Sequence, residues 1–506
     1  LIQQQQLICF HESADSLFKQ PRGDASRQSV VERLIAAEKM NWGDALLRVQ
    51  AQMRTLQKAP GLGTLAFGWK RGDDLISSMG RAWMDQNSAK IEASKELPPG
   101  PDVFIATTLY AVGGHTALIG DFVRALAEIN PAAPSPRLIV TNSIVEHIGP
   151  LTSETIARTA IDPGKIDILP GPQLEDRLDQ LLERLLQLRP RRLFLFHHPE
   201  DPVPCVVAQP ENGAQMFLAH HADSIPAFGL YLPGIRIIDV TPTAAATSRV
   251  QGFASALLLL TTPDPGSRSV GFLQRGNLVT ATCGTYHKFR MEPPHSYPEA
   301  VGVILRATGG WHVHIGPLQD YKLSAINNAL DAANIDRTRF IHVPWADSLA
   351  SALWEHGCDL YFASFPIGGA RSDIEVFASA TPHLYFTSRP KMGPYSDPLR
   401  PEGDLVWRSL PELAVELGNI SNPKILAEKS KLMRAAYEKL HHPRVFAHQL
   451  KGILEGSNGL DDPHKSNREQ RALERMIDGI HAHDALPRAE FSMAEFQELV
   501  DRVATS

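Results

Sequence analysis

Two runs of alternating strand-like and helix-like segments constrain this chain more than anything else in it. The first run starts after the linker Leu97-Pro98-Pro99-Gly100-Pro101. Short apolar stretches predict strands at 103–108, 137–142, 165–169, 192–197, 205–208 and 235–240. Apolar residues at three- and four-residue spacing predict helices at 116–129 and 173–188. The segment 261–267, Thr-Thr-Pro-Asp-Pro-Gly-Ser, reads as a hinge. A second run follows, with strands expected at 278–283, 312–315, 340–343, 359–363 and 383–387. Its helices are expected at 297–307, 323–334 and 349–356. Strands separated by helices pair in parallel, and a parallel sheet buries both faces. The expectation is two doubly wound α/β domains, at 101–262 and 270–420. Such sheets bind ligands beyond the carboxyl ends of their strands.

The flanks read differently. Residues 1–97 are expected to form an all-helical N-terminal module, with Val30, Leu34 and Ile35, then Leu46, Val49, Met53 and Leu56, at helical spacing. Gly61-Leu62-Gly63 follows a helix, so it is not a dinucleotide fingerprint. Residues 421–506 are expected to be helical, with the part around 424–437 crossing back to the first domain. At 506 residues, 43% hydrophobic and 21% charged, the chain can bury large cores. A net charge of −6 without basic runs argues against nucleic acid. Cys9, Cys205, Cys283 and Cys358 form no C-x-x-C pair and read as buried free thiols. No secretory signal is visible, and the most apolar piece, 253–260, is too short for a membrane span. A cytoplasmic protein without a transmembrane segment is expected.

The stretch 359–382, DLYFASFPIGGARSDIEVFASATP, joins a strand to a helix through Pro366, Gly368 and Gly369. Backbone N–H groups at such a junction can hold a diphosphate, and the same geometry also serves as a plain connection. Gly113-Gly114-His115-Thr116 is a similar junction in the first run. It is either a turn with a capping Thr or a place where the imidazole acts as a base or meets phosphate. His220-His221-Ala222-Asp223 can hold a base with its orienting carboxylate, or be a polar turn. Lys288, after Thr285, is either an exposed surface Lys or a compact cation for an anionic ligand. His342-Val343-Pro344-Trp345 offers an imidazole and an indole at a strand end. His312 and His314 share a strand face but lack further metal ligands, which favours a core strand. There is no D-x-D pair, P-loop, G-x-S-x-G or H-E-x-x-H.

The run from Glu375 to Pro382, EVFASATP, resembles the E-A-M-A-x-G-x-P element of GT-B glycosyltransferases. The preceding SFPIGG resembles the matching loop of the O-GlcNAc transferase clan, especially of bacterial cytoplasmic N-glycosyltransferases that modify adhesins. The GGH-T loop and the HHAD segment are similar to elements of the same families, although Ser224 and Ile367 depart from the family patterns. The resemblance implies a GT-B fold, two Rossmann-like domains facing a cleft, behind an all-helical N-terminal block. It implies transfer of a sugar from a nucleotide-sugar, most simply a UDP-sugar, to a protein or glycan acceptor. The nucleotide-sugar is then a substrate, and no cofactor or metal is expected. Thr285, Lys288, His342, Gly368, Gly369, Asp373 and Glu375 would hold the donor, and His115, His221 and Asp223 would act on the acceptor. Two alternatives stand beside this: a silent GT-like subunit that partners an active transferase, and a sugar-nucleotide epimerase or hydrolase of the same fold. A homo-oligomer is equally open.

Overall fold

The computed structural model describes residues 42–58, 67–111, 113–144, 151–222, 225–242, 244–245, 248, 251–293, 296–387 and 405–456. The chain opens with α1 (Trp42–Lys58), α2 (Lys70–Gln86) and α3 (Ser88–Ser94). The first α/β series runs β1 (Val103–Ala106), α4 (Gly114–Ile129), β2 (Arg137–Val140), α5 (Ser153–Ala157) and β3 (Ile166–Ile168). It continues through α6 (Leu174–Leu188), β4 (Arg192–Phe196), α7 (Val203–Val207), β5 (Gln215–His220), β6 (Ile235–Asp239) and β7 (Ser255–Leu257). The second series runs β8 (Val279–Cys283), α8 (Tyr297–Thr308), β9 (Trp311–Ile315), α9 (Asp320–Ala332), β10 (Phe340–Val343) and α10 (Leu349–Glu355). It ends with β11 (Leu360–Phe362), α11 (Arg371–Ala378), β12 (His383–Phe386), β13 (Leu405–Trp407) and α12 (Leu410–Ile420). Then come α13 (Pro423–Ala436), a π turn at Tyr437–His441, and α14 (Pro443–Leu454).

The first sheet has seven strands in the order β3-β2-β1-β4-β5-β6-β7, and the second has six in the order β10-β9-β8-β11-β12-β13. Neighbouring strands pair in parallel, for example Val103 with both Arg137 and Leu193, and Thr280 with both His312 and Leu360. Strand order reverses between β1 and β4 in one sheet and between β8 and β11 in the other. A crevice opens at each reversal because the flanking crossovers leave to opposite faces. Period-two alternation explains the burial. Val103, Ile105, Leu193 and Leu195 face one core, while Phe104, Ala106, Phe194 and Phe196 face the other.

The N-terminal helices pack onto the first domain. Leu46, Val49, Met53 and Leu56 of α1 and Ile76, Met79 and Trp83 of α2 share a core with β1, β4, α6 and α7. They cover one face of the first sheet rather than enclosing a core of their own. The docking is also polar: buried Asp73 accepts from the N–H groups of Gly229 (2.9 Å) and Tyr231 (2.8 Å). The expected strand at 205–208 is instead the helix α7, which begins at Pro202-Val203-Pro204. Proline costs nothing in a first helical turn, where its missing N–H has no partner to lose. Residues 13–28, Val30, Leu34, Ile35, Gly61, Gly63 and the stretch 457–506 lie outside the described residues.

Residues of α11 are split between two cores. Val376 packs in the second domain, whereas Ile374 and Phe377 join Phe122 of α4 and Met433, Tyr437 and Phe446 of the returning helices. Full burial of each such side chain is worth about 1.5–3 kcal/mol. Phe122 and Phe446 meet edge to face at 5.4 Å. His441 Nδ1 donates to Leu260 O (2.7 Å), and the Tyr437 hydroxyl donates to Thr262 O (2.9 Å). The chain therefore passes back onto the first domain beside the hinge, where Asp264 pairs with Arg434 at 2.7 Å.

Candidate functional site

Two loops meet at the reversal of the second sheet. The loop after β8 makes a single turn, Tyr286–Lys288, held from below by Lys322 of α9. The Lys322 ammonium donates to Tyr286 O (2.7 Å) and Phe289 O (3.3 Å). The loop after β11 carries Pro366 to Ala370, and Ser364 braces it by donating to Ile367 O (2.8 Å). Phe289 and Pro366 form a bridge between the two loops. The Phe289 ring packs on Tyr297 (4.5 Å) and His314 (5.0 Å). Lys288 Nζ reaches Gly368 O at 3.4 Å, so the cation sits where the two loops converge. A Cβ at Gly369 would stand 2.0 Å from Ser372 Oγ, so a larger residue there would displace that side chain. Thr285 is half-buried and hydrogen-bonded to His287 (2.9 Å). His342 Nε2 donates to Gly316 O (2.9 Å), and Trp345 beyond it is 51% exposed.

The helix α11 parts its two acids. Asp373 is 4% exposed and turns inward, 3.8 Å from His383 on β12. Its Oδ1 lies under the loop after β11, 3.1 Å from where a Cβ on residue 369 would stand. Glu375, two residues on, lies on the other side of the helix with Arg371, 3.7 Å away and one turn earlier. Burial pushes the Glu375 carboxyl up, opposed by Arg371, the Leu349 N–H and Arg158.

Arg158 and Asp121 belong to the first domain. Arg158 donates to Gly113 O (2.7 Å) and Ala111 O, wrapping the loop ahead of α4. Gly113 has φ 101°, a left-handed backbone that favours glycine. Arg371 pairs with Asp121 of α4, which also accepts from Arg124 (2.7 Å). The two carboxyl edges thus meet through four charged groups, Arg158, Asp121, Arg371 and Glu375.

The reversal of the first sheet is lined by imidazoles instead of cations. His115, in the first turn of α4, donates through Nε2 to Phe196 O (2.6 Å). Its ring lies 4.7 Å from that of His221, whose Nδ1 donates to Ala219 O (3.1 Å). Burial lowers His115 to about 4 and His221 well below its ordinary value. His220 pairs with Asp239 at 2.7 Å, but both are fully buried beneath Phe67. Asp223 lies outside the described residues. Asp201 fixes the strand ends by accepting from Thr107 (2.7 Å) and Thr141 (2.8 Å). Thr107 Oγ1 in turn accepts from the His198 N–H (2.7 Å), and His198 Nδ1 bonds to Glu200.

Sequence reading singled out Lys288, Gly368, Gly369, Glu375, His115 and His221 as candidates, and the structure brings them to the two reversals. It missed Arg158, Arg371, Asp121, His198 and Glu200. The last two sit in a polar His197-His198-Pro199-Glu200-Asp201 turn whose place beside β1 depends on strand order. Among the described residues, no group of three or more His, Cys, Asp or Glu could hold a metal ion. None of the described helices is long and apolar enough to cross a membrane.

Two doubly wound domains whose carboxyl edges confront each other define the GT-B fold. Solved structures agree. The lipopolysaccharide outer core galactosyltransferase WaaB matches at 10% identity and TM-score 0.50, over 70% of this chain and 99% of that one. A glycosyltransferase from Rickettsia africae matches at 10% identity and TM-score 0.50, over 71% and 100%. HepE from Anabaena, in complex with UDP, matches at 9% identity and TM-score 0.50, over 70% and 99%. This chain thus has the GT-B architecture. No known sequence family matches it. No curated protein matches it either.

Proposed function

We propose that the protein is a glycosyltransferase that takes a nucleotide-sugar, a UDP-sugar by preference, and passes the sugar to a protein or glycan acceptor without a metal. The observation that carries this reading is the convergence of Lys288 Nζ on the Gly368 carbonyl beside Glu375. Charge leaves the sugar with the diphosphate, and a cation fixed between two backbone loops stabilises that charge as it develops. Gly368 and Gly369 let backbone approach the phosphates, and Glu375 is placed for ribose hydroxyls. Thr285 and His342 flank the nucleotide, and Trp345 offers a flat apolar face to the base. The acceptor enters over His115 and His221, on the facing edge. The UDP bound in the Anabaena structure supports the choice of nucleotide. Three described cysteines are free thiols, which suits a cytoplasmic enzyme working where nucleotide-sugars are made.

A thermal-shift series with UDP, GDP, dTDP, CMP and their sugar conjugates tests the donor site. UDP is expected to raise the melting temperature by mass action, and Lys288→Ala and Glu375→Ala to abolish the rise. No shift with any nucleotide would remove the donor assignment. A shift without acceptor-dependent release of UDP would favour a silent subunit.

A further inference from the structure

We propose that the first domain carries a second ligand site, for a phosphorylated sugar, at the end of its sheet opposite the crevice. The proposal goes beyond the glycosyltransferase reading and does not depend on it. A cavity of about 630 Å³ opens at the amino ends of β4 and β5, between α3, the last turn of α6 and the turn Pro210–Asn212. That volume suits one small molecule, since such sites run from about 300 to 1,000 Å³. The strands β4 and β5 run parallel, so the crevice at their carboxyl ends lies across the full length of the sheet from this cavity.

The lining is charged in one sense. Lys95, Arg189, Arg191 and Arg192 reach it, against a single carboxylate, Glu211. Lys95 pairs with Glu92 at 2.6 Å, an exposed surface pair that contributes little. The arginines are different. Arg191 and Arg192 both turn to Asp102, with their Nε atoms 2.8 and 2.9 Å from the same Oδ1. The Asp102 side chain is 2% exposed and stands outside the lining, so it backs the two guanidinium groups from the interior. Among the described residues it is the one carboxylate paired with either of them. One carboxylate cannot balance two guanidinium groups, and a positive charge is left at the cavity wall. Arg189 adds another, with no side-chain partner among the described residues. It caps α6 with a left-handed backbone, φ 42° and ψ 62°, which few residues other than glycine adopt. The linker ahead of β1 fixes it there: the Gly100 N–H donates to Arg189 O (2.7 Å), and a Cβ at residue 100 would stand 1.8 Å from Leu188 O.

These groups select the ligand. Guanidinium groups hold phosphate through paired N–H donors and stay charged throughout the working pH range. After their bonds to Asp102, Arg191 and Arg192 each keep their Nη1 donors, and Arg189 keeps all of its own. A phosphate monoester has the oxygens to accept from them and the charge to balance them. The rest of the wall suits the body of a sugar. The Gln215 carboxamide and the Glu211 carboxylate are unbonded among the described residues and can exchange hydrogen bonds with hydroxyls. Ile91, Pro99 and Leu185 give an apolar flank for the C–H face of the ring. One wall comes from α3 and the linker and the other from the sheet, so a bound ligand would tie the N-terminal helices to the first domain.

The test uses the full chain and titration calorimetry at fixed ionic strength. The probes are glucose 6-phosphate, glucose 1-phosphate, inorganic phosphate and glucose. At least one sugar phosphate is expected to bind one to one, about tenfold tighter than inorganic phosphate, and glucose is expected not to bind. Arg189→Gly and Arg191→Gln are each expected to weaken that sugar phosphate about tenfold or more. Both variants should keep the fold. Glycine suits the left-handed backbone at 189, and Arg192 stays on Asp102 when Arg191 is replaced. Melting temperatures without ligand check this, and should one variant unfold, the other decides. Lys288→Ala is expected to leave the affinity unchanged. Binding lost in Lys288→Ala and kept in both arginine variants would put the ligand in the donor crevice and overturn the proposal. Absence of binding by both sugar phosphates, or glucose binding as tightly as they do, would also overturn it. Inorganic phosphate binding as tightly as the better sugar phosphate would overturn the sugar assignment in favour of free phosphate. Each of these outcomes leaves the donor reading to the UDP series, so the two fail separately.

Discussion

The two sheet reversals share a topology and differ in almost every side chain that lines them. The second gathers a cation, glycines and a helix carrying Arg371 and Glu375. The first gathers five imidazoles and three hydrogen bonds to Asp201, with Arg54 and Arg158 beside them. A doubly wound sheet supplies a crevice and oriented strand ends, but it does not decide what the crevice holds. Fixed positive charge suits a diphosphate. Neutral imidazoles and a buried carboxylate suit proton movement. The pairing of unlike crevices therefore says more about the chemistry than either fold unit alone.

Removing the packing of one crevice without touching the other is the strongest way to break that comparison. Phe289→Ala takes away the ring that joins the two donor loops and is expected to cost about 3–5 kcal/mol of stability. Urea unfolding measures the loss, and UDP affinity should fall with it. On the first side, Asp73→Ala strands the Gly229 and Tyr231 N–H groups in the interior and should cost about 2–4 kcal/mol. The same denaturation series checks it, with UDP affinity expected to stay near wild type in the folded fraction.

A pH series sharpens the contrast at smaller scale. Burial holds His115 and His197 near 4 in the first domain and His312 and His314 near 3 in the second. Below about 6.5 the unfolded chain takes up protons that these folded rings refuse. Stability must therefore fall as pH drops from about 6.5 towards 4, by up to about 1.4 kcal/mol per ring per pH unit. Asp73 acts the other way, since burial raises it to about 7. Its folded form keeps a proton that the unfolded chain releases above about 4, so its contribution declines as pH rises from about 4 to 7. Unfolding free energies from pH 7 to 5 for wild type, His312→Gln and Asp73→Asn separate the two. The first variant should flatten the acid loss, and the second should steepen it. The smallest expected effect is at the exposed indole. Trp345→Ala should leave stability within about 0.5 kcal/mol and weaken UDP binding by about 1 kcal/mol, measured by titration calorimetry.

Much of this architecture is legible in the sequence because parallel strands, buried on both faces, are short apolar runs with helices between them. The runs 103–106, 279–283 and 360–362 announce themselves. The strand β5 does not, because its apolar core ends in His220-His221 and reads as a polar motif. The segment 205–208 shows the converse, a short apolar run that periodicity cannot assign to strand or helix. Lys288 and Gly368 were legible because strand, loop and helix are local patterns. The cluster of His198 and Glu200 was not, since it forms by packing beside Thr107 after β1 and Arg54 on α1, both far away in the sequence. Asp373 and Glu375 look equivalent in sequence, and only the helical rotation between them sends one inward.

The return of α14 onto α4 also bears on how the protein is made. Phe446, Leu450 and Ile453 belong to the same core as Phe104 and Phe122. The ribosome delivers β1 and α4 early, yet that core lacks its last wall until residue 454 has left the exit tunnel. The first domain must wait, with an apolar flank uncovered, while the whole second domain is translated. A chain halted after the second sheet would expose that flank, which makes the nascent protein a natural client for chaperones that hold apolar surface.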